Sequence, residues 1–335
     1  MTLPPALIAQ QALGFQWPTI DPFLFCAHHK DLYPAGNSQL GLDPEHLQGR
    51  PIGQDFQPRD GFRMYHGQGI PGFPAHPHSG FETITIALEG FIDHSDSLGA
   101  AARFGEGDVQ WMTAGRGIQH SEMFPLLNAG GKNSLELFQI WLNLPDSERT
   151  AQPHFQMMWA HEVPIVAGQG HRIRVIAGEW KDAKASNPPP ASWASDPRSA
   201  IALWHIEMDA NTSIELPVAA DGADRQLYLH EGAELMINSQ RLKGGNCGQL
   251  NAQVQTLVET TNSATRFLVM QGRPIGEPTA QHGPFVAADR KGLMDAFQSF
   301  ERGEFGQWPW PDAQPVHDGS LGRFARYPDG KEIHP

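Results

Sequence analysis

The stretch HPHSGFETITIALEG, residues 76–90, sets two histidines one residue apart directly ahead of an alternating run. In an extended chain, side chains i and i+2 project from the same face, so His76 and His78 can look into one interior. The run that follows, FETITIAL over 81–88, alternates with period two and is rich in β-branched residues, the pattern of a strand. The same alternation returns in LELFQIWLNL (135–144), RIRVIAG (172–178), ALWHIEM (202–208), SIELPV (213–218), RQLYLH (225–230) and RFLVMQG (266–272). Turn-forming residues bound most of these runs, and 35 glycines and 28 prolines supply the turns that so many short strands require. An all-β sandwich or barrel is predicted.

A second donor pair lies further on. In GDVQWMTAGRGIQHSE (107–122), His120 and Glu122 repeat the two-residue spacing. An isolated HxH is unremarkable among 16 histidines, but two strand-like segments that each present a pair inward can converge on one ion. Three imidazoles and a carboxylate make a mixed N/O donor set, suited to Fe(II), Mn, Ni, Cu or Zn rather than Ca or Mg. In a six-coordinate ion, four protein ligands leave two positions open to a substrate or dioxygen. Glu82 is a rival carboxylate: it follows His78 by four residues with the same nominal parity, unless Ser79–Gly80 bulges. The other histidines, among them His28, His29, His154, His205, His230 and His282, read as surface or turn residues. His94 has some claim to touch the ligands from outside.

With 37 acidic against 24 basic residues the chain carries a formal charge of −13, which disfavours direct nucleic-acid binding. Cys26 and Cys247 are too few for a disulfide framework and suit a reducing compartment. No basic leader and no apolar run of membrane-spanning length are seen, so a cytoplasmic protein is expected. KDAKASNPPPASWASDPRS (181–199) has the composition of a linker between two halves. ETITIALEGFI (82–92) and RQLYLHEGAEL (225–235) echo one another across it, as two copies of one barrel would. ADRKGLMDAFQSFERG (288–303) predicts a helix packing on a sheet and ending at Gly303, with a polar tail beyond Phe305 draped over the surface.

In order along the chain, HPHSGFETIT, LEG, HSDS, GDVQWMTAGRGIQHSE and FQIWLNLP resemble the pirin family of the cupin superfamily, and EPTAQHGPFV (277–286) is similar to its second domain. The resemblance spans roughly residues 20–305 and is strongest over 70–145. It implies a bicupin, two facing antiparallel β-barrels of jelly-roll type with a C-terminal helix. It places an N-terminal cupin with the metal at 1–180, a linker at 181–199, a metal-free C-terminal cupin at 200–305 and a surface tail at 306–335. It also implies His76, His78, His120 and Glu122 as ligands, which leaves Glu82 as a pocket residue. The segment from Phe25 to Phe73, with HHKDLYPAG at 28–36, and the tail beyond Gly306 depart from the family pattern.

The activity implied is an iron-dependent dioxygenase that acts with O₂ on an aromatic small molecule, a flavonol such as quercetin. Glu122 or Glu82 would serve as catalytic base. Phe81, Trp111 and Phe124 are candidates to flank a flat substrate. The resemblance equally implies a redox-sensing role, in which the metal's oxidation state alters a surface read by a protein partner. A cupin with a different small-molecule substrate is the third reading.

Overall fold

The computed structural model describes residues 5–335. The chain is almost entirely β, and each strand expected from alternation is present. Residues 81–88 fall in Phe81–Glu89, 135–144 in Asn133–Asn143, and 225–230 in Asp224–Glu231. No helix among the described residues is long and apolar enough to cross a membrane. Both cysteines are free and buried.

The residues group into two compact units that do not follow chain order. One holds the chain up to Ala27, Ile140–Pro145 and His161–Gly276; the other holds His28–Gln139, Asp146–Ala160 and Glu277–Pro335. This departs from the sequential boundaries expected above. The late helix and the tail belong to the unit that carries His76, not to the second repeat.

In the first unit a seven-stranded sheet has Ala202–Met208, Thr265–Gly272 and Asp224–Glu231 at its centre, and a four-stranded sheet includes Glu234–Ile237 and Thr256–Thr260. Their inward side chains, including Trp204, Ile206, Leu227, Leu229, Phe267 and Val269 from one sheet and Leu235, Ile237 and Val258 from the other, form one apolar core. Each such side chain contributes about 1.5–3 kcal/mol through burial.

A five-stranded sheet, most of whose residues are in the second unit, runs His154–Met158, Val109–Thr113, Phe81–Glu89, Asn133–Asn143, Phe23–Tyr33. A six-stranded sheet runs Glu332–Ile333, Phe324–Arg326, Ala101–Gly105, Phe91–Asp96, Ile118–Met123, Gly72–His78. The two sheets pack face to face, the jelly-roll arrangement expected of a cupin. Ala87, Leu137, Phe155 and Met157 of the first sheet meet Ile92, Ala102, Phe104 and Phe124 of the second in one core. The chain passes between the two sheets at Ser79–Gly80. Gly80 has φ +86°, and a Cβ there would lie 1.9 Å from the Val286 carbonyl oxygen, so only glycine turns this corner.

The predicted helix forms over Arg290–Glu301, with the Asp289 side chain accepting from the Gly292 N–H. It lays Leu293, Phe297 and Phe300 against Phe285 and Phe305. The tail corrects the expectation of a surface drape. Phe324–Arg326 pairs with Ala101–Gly105 as a further strand. Fully buried Arg103 grips Asp93 through Nε and Nη2, both at 2.7 Å, and donates to the carbonyls of His317, Asp318 and Leu321.

Candidate metal centre

His76 and His78 lie on Gly72–His78, and His120 and Glu122 on the neighbouring Ile118–Met123. His76 is the cross-strand partner of His120, with a register shift between Phe73 and His76. One donor atom from each of His76, His78 and His120 lies within 4.8 Å of the others. Their rings stand 4.5–4.8 Å apart, centroid to centroid. Glu122 joins them from the same strand face as His120, its Oε2 4.0 Å from His120 Nε2.

The local chemistry prepares these groups as ligands. His76 Nδ1 is 2.8 Å from the Pro74 carbonyl, which can only accept, so this nitrogen carries the proton and Nε2 keeps its lone pair. Neither ring nitrogen of His120 has a hydrogen-bond partner, although the residue is fully buried. Burial pushes the His76 imidazole down to about 4 and holds His78 and His120 well below the usual range. All three are therefore neutral at physiological pH, the form that binds metal.

Burial raises Glu122, opposed by His94 and by hydrogen bonds from Thr85 and Gln139. Gln139 Nε2 donates to Glu122 Oε2 at 2.8 Å. The Thr85 hydroxyl stands 2.6 Å from Gln139 Oε1 and 3.0 Å from Glu122 Oε1. It has one proton for two acceptors, so it serves both only when Glu122 is protonated and donates in return.

The structure treats the other expectations unequally. Glu82 is fully buried, but its carboxylate accepts from Thr113 at 2.6 Å. Along its strand it alternates with Phe81 and Thr85, which face His78 and Glu122, so Glu82 is on the opposite face. The parity argument fails because His78 and Glu82 belong to different sheets, with the Gly80 corner between them. Trp111 pairs with Ile84 and shares the face of Glu82, so it does not flank the histidines. Phe81 does, with its ring 5.1 Å from His78; Phe124 packs on Phe73 and Tyr65 instead.

Near the centre lie Phe73, which carried no sequence signal, and His94, which the sequence placed outside the ligands. Phe73 stands 6.3 Å from His76 and is ringed by His29, Phe56, Tyr65 and His66 of the atypical 28–73 segment. His94 is fully buried opposite Glu122, its ring 5.5 Å from His120. His29 and His205 are also buried, against the expectation of surface positions. His205 Nε2 lies 3.3 Å from His230 Nε2, and His205 Nδ1 lies 3.9 Å from Glu207 Oε1.

Residues 9–142 match the pirin family and residues 203–306 match the pirin C-terminal cupin domain. This chain belongs to the pirin family. A pirin-like protein of Caulobacter vibrioides is 38% identical over 239 residues, covering 70% of this chain and 81% of the relative. A provisionally named quercetin 2,3-dioxygenase of Pseudomonas aeruginosa is 32% identical over 236 residues, 70% of this chain and 79% of the relative. Among solved pirin-type structures, a quercetin 2,3-dioxygenase from Acinetobacter baumannii superposes with a TM-score of 0.69 at 28% identity, covering 91% of this chain and 98% of that one. The pirin bicupin fold and a histidine cluster fit to hold one divalent metal therefore agree.

Proposed function

We propose that this chain is an iron-dependent dioxygenase of the pirin type that opens the ring of a flavonol such as quercetin. The observation that carries it is the convergence of three neutral imidazoles and a buried carboxylate in one sandwich interior. The printed names of the Pseudomonas and Acinetobacter relatives support the substrate class. His76, His78, His120 and Glu122 would hold the ion. Iron bound there would supply Lewis acidity and one-electron chemistry toward dioxygen.

The chain's own residues do the rest. Burial raises the Glu122 carboxylate, which favours its taking the proton of a flavonol hydroxyl. Gln139 and Thr85 fix its orientation, and a protonated Glu122 keeps a partner in Thr85. Phe73 and Phe81 offer ring faces to a flat substrate beside His76 and His78. Glu82 takes no part, given its place on the far strand face.

The test is oxygen uptake by anaerobically iron-loaded protein on addition of quercetin, with iron quantified on the same sample. Catalytic uptake that disappears in His120→Ala is expected. Iron-loaded protein that consumes neither oxygen nor quercetin overturns the dioxygenase reading and leaves the redox-sensing role as the use of the site.

A further inference from the structure

The unit without the histidine cluster contains a buried charge that has no ion-pair partner among the described residues. Arg225 has none of its surface exposed. Its Nε and Nη2 donate to Gln271 Oε1, and Nη2 also to the Pro217 carbonyl at 2.7 Å. Its guanidinium carbon lies 5.7 Å from the centre of the Trp204 ring. Every one of these partners is uncharged, and Nη1 has no hydrogen-bond partner at all. Burial lowers its pKa only to about 10, so it remains a cation at neutral pH.

Two other buried arginines show what a structural brace looks like in this chain. Arg103 is paired through two nitrogens with Asp93, and Arg50 donates to Asp55 at 2.9 Å. A guanidinium left without a counter-ion in a dry interior is costly, so its retention points to a partner that the fold itself does not provide.

Beside Arg225 lies a cavity of about 890 Å³. Arg225 and the three groups that it touches, Gln271, Pro217 and Trp204, all line it. The remaining wall is mixed: Ile201, Val218 and Pro188 give it an apolar side, and Ser186, Asn187, Ser195 and Ser199 a polar one. Its two acidic residues are already matched, Glu179 with Lys184 at 3.3 Å and Asp196 with Arg198. Arg225 and the rim residue Lys181 remain as unmatched cations, in a chain whose net charge is −13.

We infer that this cavity is a second ligand site, one that takes a small organic carboxylate, its anionic group drawn by the charges of Arg225 beneath the wall and Lys181 at the rim, and its apolar body laid on Ile201, Val218 and Pro188. An uncompensated charge held just beneath a cavity wall acts more strongly than one in open water. The site is independent of the metal centre and of the dioxygenase reading.

The experiment is calorimetric titration of the full-length, iron-loaded protein with benzoate, and with neutral benzamide as its isostere. Saturable benzoate binding with no benzamide binding is expected. Arg225→Met weakens it by about tenfold or more, the loss of the buried positive charge. Because Arg225→Met removes a buried side chain, Val218→Glu is measured beside it. Val218 is 56% exposed, so its replacement leaves the fold intact while setting a negative charge at the wall, and weaker benzoate binding is again expected. The inference is overturned if benzoate does not saturate, or if benzamide binds equally. It is also overturned if binding survives Val218→Glu unchanged but disappears in His120→Ala, which would place benzoate at the histidines.

Discussion

The two sandwiches of this chain use one architecture for opposite ends. Between the sheets of one lie Trp204, Ile206, Leu227, Leu229, Phe267 and Val269, an interior given over to packing. Between the sheets of the other, at comparable inward positions, stand His76, His78, His120, Glu122, Thr85 and Gln139. Buried polar groups are tolerated only where partners satisfy them, and an apolar interior has no such requirement. The lesson is that a repeated β fold can keep its strand pattern while one copy supplies donors and the other supplies burial.

The sharpest way to break this comparison is to remove a donor. His120→Ala should cost about a hundredfold or more in metal affinity, since even losses behind the ligands cost about ten- to a hundredfold. Metal content after dialysis, with the circular dichroism spectrum unchanged, would show it; a variant that keeps its metal would dissolve the contrast. Next in size is a truncation in the apolar interior. Phe267→Ala should destabilise by about 3–5 kcal/mol in urea unfolding, with the histidine cluster untouched.

The third prediction concerns pH. Burial pushes His29 down to about 3, with help from Arg63 and His28. The folded state thus holds this ring neutral while the unfolded chain protonates it near the ordinary 6.5. The stabilisation is complete above that value and is lost as pH falls from about 6.5 toward 3. Neighbouring Asp31, raised to about 6 by burial, acts in the opposite sense between about 6 and 3.8. Replacing the ring isolates its share: His29→Phe should flatten the acid loss of stability in metal-free protein by up to about 1.4 kcal/mol per pH unit. Unfolding midpoints measured from pH 7 to 4 would reveal it, and an unchanged slope would count against a neutral buried His29.

The smallest effect is expected from Gln139→Leu. Losing the 2.8 Å donor to Glu122 should weaken metal binding by about tenfold while changing overall stability little. A competition titration against a chelator would measure it.

Much of this arrangement was legible from sequence because strand alternation and an i, i+2 donor pair share the same period. That rule singled out His76, His78, His120 and Glu122, of which the structure clusters the three histidines with Glu122 beside His120, and the strand boundaries agree to within a residue or two. The rule failed at Glu82, since parity counts only along one strand and the chain changes sheets at Gly80. It was silent on His94, Thr85 and Gln139, whose meaning arises from neighbours far along the chain. The tail was illegible for another reason: its short strand draws its placement from Arg103 and Asp93, not from a pattern of its own. The interleaving of the two units leaves no mark in composition either.

Arg103 reaches the carbonyl of Asp318, 215 positions further along the chain, and the edge strand that follows extends the sheet bearing the histidines. During synthesis from the amino end, His76 to Glu122 leave the ribosome long before the residues that lock their sheet. The donors are thus among the early parts made, and their frame is among the last to close. Long-range closure of this kind is intrinsically slow, so the frame of the histidine cluster waits for residues 317–326 and not for the appearance of the histidines themselves.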